Sequence, residues 1–512
     1  MMVAIVLLYI IAALLLYSFY KFTFTKPDKN FPPGPPRLPI WGSYWIVLAL
    51  DYNFPSRAFS WLSKKYNSPI LGLYLGDFPS VIVHGRLVKE ALNKREFDGR
   101  LPVILGSLRG DGKILGIFFT DGPYWHEQRR FSLRNMRDWG FGCRSARLEG
   151  ITSDEIGQFI NLMRNPTKDQ NVVAGNLMTL PDALWVPGIN SYLGVVLGRA
   201  LGSQWDERLR EVGRATLKFQ GNTDDLGGSL CMTPWIRHIF PTLSGYVPLC
   251  ESNAVLLKFV RDILKDCKEN FAEEYDQSFF DKYLRRLKEE PTAESKSESE
   301  TEITSTFSDD QLTLVGVDFL LPSASALSVT LSLFIRELMQ RPEVQERIQE
   351  EIDTVVGRGR LPTLNDRESL PYLEASLREI MRYITLLPNG IAHRAQVDTM
   401  FEGYFIPKDT MISMNLMDYH MDPEVWGDPE NYRPERFLDC QGKLDLKKDV
   451  SLPFGAGKRL CAGETFARQT MFLTAAGLMQ NFTFKMHLSV PKLMPGLLTT
   501  PERFQVKFFP RD

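Results

Sequence analysis

Cysteine is scarce in this chain of 512 residues: six in all, at positions 143, 231, 250, 267, 440 and 461, far apart and never in a CxxC pair. Such spacing builds neither a disulfide scaffold nor a zinc site, and it points to a reducing compartment. Excess charge is lacking too. The 60 basic and 62 acidic residues leave a net charge of −2, which gives no electrostatic footprint for nucleic acid. No short-period repeat is visible. Low complexity is confined to "EEPTAESKSESETEITST", residues 289 to 306, a polar stretch without aromatics that reads as a solvated loop.

What is present is apolar surface: 44% of the residues are hydrophobic, enough for a large core. The first 20 residues, "MMVAIVLLYIIAALLLYSFY", carry no charge. At ~1.5 Å per residue they span a bilayer core of roughly 30 Å. A cleaved signal peptide would need a shorter apolar run and a small-residue cleavage site, and neither is visible. Lys21, Lys26 and Lys29 follow, a positive flank that stays on the cytoplasmic side. Residues 1 to 20 therefore read as a transmembrane anchor and 21 to 49 as a basic, proline-rich hinge. Residues 50 to 512 read as a cytosolic domain, dominated by helix-like segments with a few strand-like runs such as "SPILGLYLGDFPSVIVHG".

The longest helix begins where the polar loop ends. Ser308, with Gln311 three residues on, predicts a capping box, and Asp309 and Asp310 suit the first turn. The apolar pattern runs on to Gln340, and Pro342 opens a further helix that stops near Gly357. A helix so long and so apolar belongs in the centre of the domain.

Four short patterns carry chemistry. In "YWHEQRR", Trp125 and Arg129 share a helical face, where an indole N–H and a guanidinium suit a buried anion. In "EASLREIMR", Glu379 and Arg382 share a face as an ion pair, and Arg436 of "YRPERF", on an extended stretch, is placed to lock it. In "FGAGKRLCAG", residues 454 to 463, Cys461 stands between a glycine-rich turn and an apolar segment. The residues alone leave it as a buried structural cysteine, half of a disulfide, or a sulfur held out to a metal.

Together these motifs resemble the cytochrome P450 family, and the resemblance runs from the anchor to the C-terminus. "FGAGKRLCAG" fits F-x-x-G-x-R-x-C-x-G without a mismatch, downstream of E-x-x-R and "PERF" and far downstream of W-x-x-x-R. "HRAQVDTMFEGYFIPKDT" is similar to the animal microsomal branch, insect members included. The resemblance implies a mainly α fold with a small β-sheet region and a haem cofactor whose iron takes the Cys461 thiolate. It implies that Phe454 and Gly457 shape the cysteine turn with Gly455 and Gly463, and that Trp125, Arg129, His393, Arg459 and Arg100 hold the haem propionates. It implies that Glu379, Arg382 and Arg436 brace the cysteine loop. The implied partners are NADPH–cytochrome P450 reductase, with cytochrome b5 as an optional second donor, a lipophilic small molecule and the endoplasmic reticulum membrane.

One departure stands out. Where the family carries an acid–alcohol pair in the long helix to deliver protons during oxygen activation, this chain reads "PSASAL", with Ser325 and Ala326 at those positions. Pro322 cannot donate to the Asp318 carbonyl, so that carbonyl with Ser323 and Ser325 is a candidate for ordering water, unless Pro322 simply bends the helix. Three functions follow: a monooxygenase drawing electrons from NADPH through a reductase, a haem-thiolate isomerase or dehydratase acting on an oxygenated lipid, or a membrane-anchored haem protein that binds a lipophilic ligand without turnover. The segments expected around the substrate, Ile104 to Leu108, Phe319 to Ser323, Leu387 to Ile391 and Leu497 to Thr499, are mostly apolar and choose no particular substrate.

Overall fold

The computed structural model describes residues 10, 13–21, 23, 30–39, 41–165, 173–202, 206–271, 276–289 and 305–511. Most of the polar loop and much of the anchor lie outside the described residues. Within the anchor, residues 10 and 13–20 are helical, with Leu14, Leu15, Leu16 and Tyr17 exposed.

The domain is mainly helical with small sheets, as the sequence predicts. The largest sheet, in the order β1-β2-β5-β4-β3, comprises β1 (Ile70–Leu75), β2 (Phe78–Val83), β3 (Gly99–Arg100), β4 (His393–Arg394) and β5 (Met411–Met414). β1 and β2 form the hairpin foreseen in "SPILGLYLGDFPSVIVHG", turning at Gly76, whose φ of 59° favours glycine. At the far edge the register sets Arg100 opposite His393, which brings together two cofactor-binding candidates distant in sequence.

The helices that shape the site are α1 (Ile104–Arg109), α2 (Gly122–Met136), α3 (Trp185–Val196), α4 (Glu207–Gly221), α5 (Asp309–Gln340), α6 (Pro342–Val355), α7 (Pro371–Ile384) and α8 (Glu464–Asn481). α5 is the long central helix, packed against α3, α4, α7 and α8. Its N-terminus keeps half of the expected capping box. Ser308 Oγ accepts from the Gln311 N–H at 3.0 Å, but the Gln311 side chain does not reach back. Instead it bridges the Gly116 backbone, accepting at 2.7 Å and donating at 3.2 Å. A tertiary partner with both a donor and an acceptor has displaced the local one.

Leu312, Leu320, Phe334 and Leu338 are fully buried along α5 and join the main core. Phe334→Ala would cost about 3–5 kcal/mol through lost burial and the cavity left behind. Gly188 lets α3 approach closely, since a Cβ there would sit 2.5 Å from the Ser323 carbonyl.

Candidate active site

The cysteine turn is shaped by its backbone. Gly455 and Gly457 have φ of 73° and 68°, a conformation that side chains rarely adopt. At Gly457 space is also exhausted, because a Cβ would lie 2.2 Å from the Leu92 carbonyl. The Cys461 N–H donates to the Phe454 carbonyl at 2.9 Å and closes the loop, which then enters α8. Cys461 opens onto a cavity, while protein crowds it on its other sides and burial pushes the thiol pKa up. The Gly463 N–H and the Arg129 charge oppose that rise by favouring the thiolate.

Five cofactor-binding candidates gather beside this turn. Arg459 stacks on the Trp125 ring, its guanidinium carbon 3.6 Å from the centroid, and Arg129 lies 5.5 Å from the same ring. Arg129 donates to the Leu460 carbonyl at 2.5 Å, and Arg459 to the carbonyls of Asp98 and Thr120 at 2.8 and 3.0 Å. Arg100 donates to the carbonyls of Phe118, Ile391 and Ala392. His393 donates Nδ1–H to the Phe97 carbonyl at 2.8 Å, which leaves Nε2 free of that bond. Burial pulls every cation here down: Arg459 to about 10, Arg129 downward, and Arg100 and His393 well below their ordinary values. Repulsion among the three arginines adds to the effect on Arg100 and Arg459.

A third group lies on α7. Arg382 grips Glu379 through two hydrogen bonds of 2.8 Å, and neither side chain is exposed. Arg436 Nε donates to the same carboxylate at 3.1 Å. Contrary to expectation, "PERF" is not extended: Pro434–Phe437 forms a 3-10 turn, with Pro434 at its first position, and this turn aims Arg436 at Glu379. Arg382 also donates to the His420 carbonyl at 2.9 Å. The His420 ring accepts the Leu452 N–H on Nε2 at 2.9 Å, and the Leu452 carbonyl accepts from Gly455 at 3.0 Å. The α7 group is thus linked to the cysteine turn.

A cavity of about 310 Å³ lies between Cys461 and α5. Each of the four segments expected around the substrate contributes to it, through Leu105, Phe319, Pro322, Ser323, Leu387, Asn389, Ile391 and Leu497 among others. Ser325 does not. It is fully buried off the cavity and its hydroxyl donates to the Leu321 carbonyl at 2.8 Å, so it is no water-ordering group there. Ser323 borders the cavity, with its hydroxyl donating to the Phe319 carbonyl at 2.7 Å. Asp318 was singled out for its carbonyl, yet its carboxylate is the busier group. That carboxylate accepts from the Ile117 and Phe118 backbone at 2.6 and 3.1 Å and pairs with Arg109. Arg109 and Gln220, both buried and both lining the cavity, were missed by the sequence reading; nothing in their local pattern signals a cavity position.

The family profile for "Cytochrome P450" matches residues 32–508. The chain belongs to the cytochrome P450 family. Among its relatives are "Farnesoate epoxidase" of Bombyx mori, 32% identical over 94% of each chain, and "Cytochrome P450 2C20" of Macaca fascicularis, 31% identical over 99% of each chain. "Probable cytochrome P450 305a1" of Drosophila melanogaster is 29% identical over 99% of each chain. As a cytochrome P450 the protein is an oxidoreductase with a cysteine-ligated haem, and the non-catalytic reading falls away.

The residues present fit that cofactor. Haem carries two propionates, and the cavity wall beside Cys461 offers three arginines that, among the described residues, have no carboxylate paired to their side chains. Trp125 Nε1, buried and without a hydrogen-bond partner among the described residues, is a donor suited to the same anion.

Proposed function

We propose that the protein is a monooxygenase that inserts one atom of O2 into a lipophilic substrate. Two electrons from NADPH, delivered through a reductase, and two protons reduce the other atom to water. The observation that carries this reading is the convergence of one sulfur, a cation cluster and an apolar wall on a single cavity. Haem supplies the oxygen-activating chemistry. Cys461 is its thiolate ligand in this proposal, and Phe454 and Gly457 shape the turn that presents the sulfur. Trp125, Arg129, Arg459 and Arg100 hold the propionates, and His393 joins them through Nε2 when the propionate charge protonates it, since its Nδ1–H is already on the Phe97 carbonyl. Ser323 and the Asp318 carbonyl, freed because Pro322 has no N–H, hold the water that relays protons. Residues 1 to 20 anchor the enzyme in the endoplasmic reticulum membrane with the domain on the cytoplasmic side, where reductase and cytochrome b5 are reached.

Reconstitution tests the reading. Product from a lipophilic substrate should require NADPH, reductase and O2 together. Consumption of a lipid hydroperoxide with no reductase present would favour the isomerase or dehydratase alternative instead. The reduced carbon monoxide complex should show the red-shifted Soret band of a thiolate haem. Cys461→Ser should abolish that band and Cys440→Ser should leave it. An essential Cys440 would overturn the ligand assignment.

A further inference from the structure

Arg109 ends α1 with only 3% of its surface exposed, and its guanidinium borders the cavity. Among the described residues its one hydrogen bond runs from Nη2 to Asp318, and the buried Nε–H has no partner. Nη1 donates to no residue among those described. The Phe119 ring lies 5.6 Å from the guanidinium carbon, so the group stands against an aromatic wall.

Asp318 cannot turn away to release Arg109. Two backbone N–H groups hold its other oxygen, and Gly116 is so close that a Cβ would sit 2.2 Å from it. The result is a fixed donor on the wall of a chamber that is mostly apolar away from the Trp125 cluster. A pure hydrocarbon would leave that donor dry and unpaired, which is unfavourable. A carboxylate would satisfy it, but the Arg109–Asp318 pair is already neutral, so the carboxylate would bring an unbalanced charge into a buried site. An uncharged oxygen acceptor meets both conditions.

Resting on the reading that this cavity takes the substrate, we propose that Arg109 is a specificity-determining residue whose Nη1 N–H groups bind a neutral carbonyl oxygen, so that the enzyme prefers lipophilic esters, ketones or amides over hydrocarbons and free acids.

The test titrates the haem-loaded, full-length protein with three probes and reads the ligand-induced shift of the Soret band. The probes are methyl dodecanoate, dodecyl methyl ether, which differs from it by the carbonyl, and dodecanoate at pH 8. The ester should bind about tenfold more tightly than the ether, the ratio for one hydrogen bond to a charged donor, and more tightly than the acid. Arg109→Lys keeps a cation for Asp318 and removes the planar fork. It should bring the ester-to-ether ratio close to one while leaving ether affinity unchanged. Equal affinity for ester and ether in the unmodified protein would overturn the proposal even if the variant fails to fold. Tighter binding of the acid would also overturn it, replacing a carbonyl subsite with a carboxylate one. No shift with any probe would sink the substrate-cavity reading and this proposal with it, whereas ether and ester binding alike would sink only the role of Arg109.

Discussion

Two arginine clusters adjoin the cysteine turn, one around Glu379 and one around Trp125. In the first, the guanidinium groups of Arg382 and Arg436 meet a carboxylate and backbone carbonyls, and Glu379 also accepts the Arg433 N–H at 2.8 Å. In the second, Arg100, Arg129 and Arg459 have carbonyls but, among the described residues, no carboxylate bonded to their side chains, and burial lowers the proton affinity of each. On the proposed reading, the difference separates a device for folding from a device for binding. A cluster that is complete within the protein contributes to the native state directly. A cluster of buried cations short of anions costs stability until an anion arrives, and that cost is returned as affinity.

The largest effect should come from breaking the complete cluster. Glu379→Ala leaves the buried Arg382 without its carboxylate and Arg436 with only a 3.4 Å contact to Asp428, a loss of about 3–5 kcal/mol. Thermal melts of the haem-loaded protein should show it, together with a fall in the yield of haem-loaded chain. A melting point within a degree or two of the unmodified protein would remove the distinction between the clusters.

In the Trp125 cluster the expected change is in retention of the cofactor. Arg459→Gln should speed transfer of haem to an excess of apomyoglobin by about tenfold, the weight of one charge-assisted hydrogen bond. Melting of the haem-loaded protein should shift less than it does for Glu379→Ala. The reverse ranking in either measurement would exchange the two roles.

The smallest effect is a pH dependence, and it uses a histidine. His420 accepts the Leu452 N–H, so its ring must stay neutral; burial first, then the Arg382 charge, pushes its pKa down to about 3. The unfolded chain takes up that proton near pH 6.5, so stability is full above 6.5 and is lost as pH falls towards 3. Between pH 7 and 5.5 the loss should be about 1 kcal/mol. His420→Gln, whose amide oxygen can accept the same N–H, should flatten the slope. An unchanged slope would assign it to other groups.

How much of this was legible in the sequence depends on distance along the chain. The turn around Cys461, the Glu379–Arg382 pair and the Ser308 cap are set by neighbours within a few residues, and spacing reveals them. The facing of Ser325 was not legible, since Pro322 is its i,i+3 neighbour and Asp318 and Leu321, on either side of it around the helix, both line the cavity. Gln311 on Gly116 and Arg109 on Asp318 were not either, because each contact closes a loop of about 200 residues whose ends share no pattern. The 3-10 turn at Pro434–Phe437 lies between these cases: its proline suits the first position of a turn as well as an extended strand, and only the Glu379 carboxylate decides.

Gly457 against the Leu92 carbonyl has a consequence for biosynthesis. The cysteine turn is also fastened by Arg459 to Asp98 and Thr120 and by Arg129 to Leu460, so its anchoring points come from the first third of the chain and its sulfur from the last tenth. No nascent chain contains both until translation is nearly over. With Cys461 as the proposed ligand, loading of haem belongs to the end of synthesis, and a ribosome stalled anywhere in the long central helix holds a chain that has Arg100 and Arg129 but neither Arg459 nor Cys461.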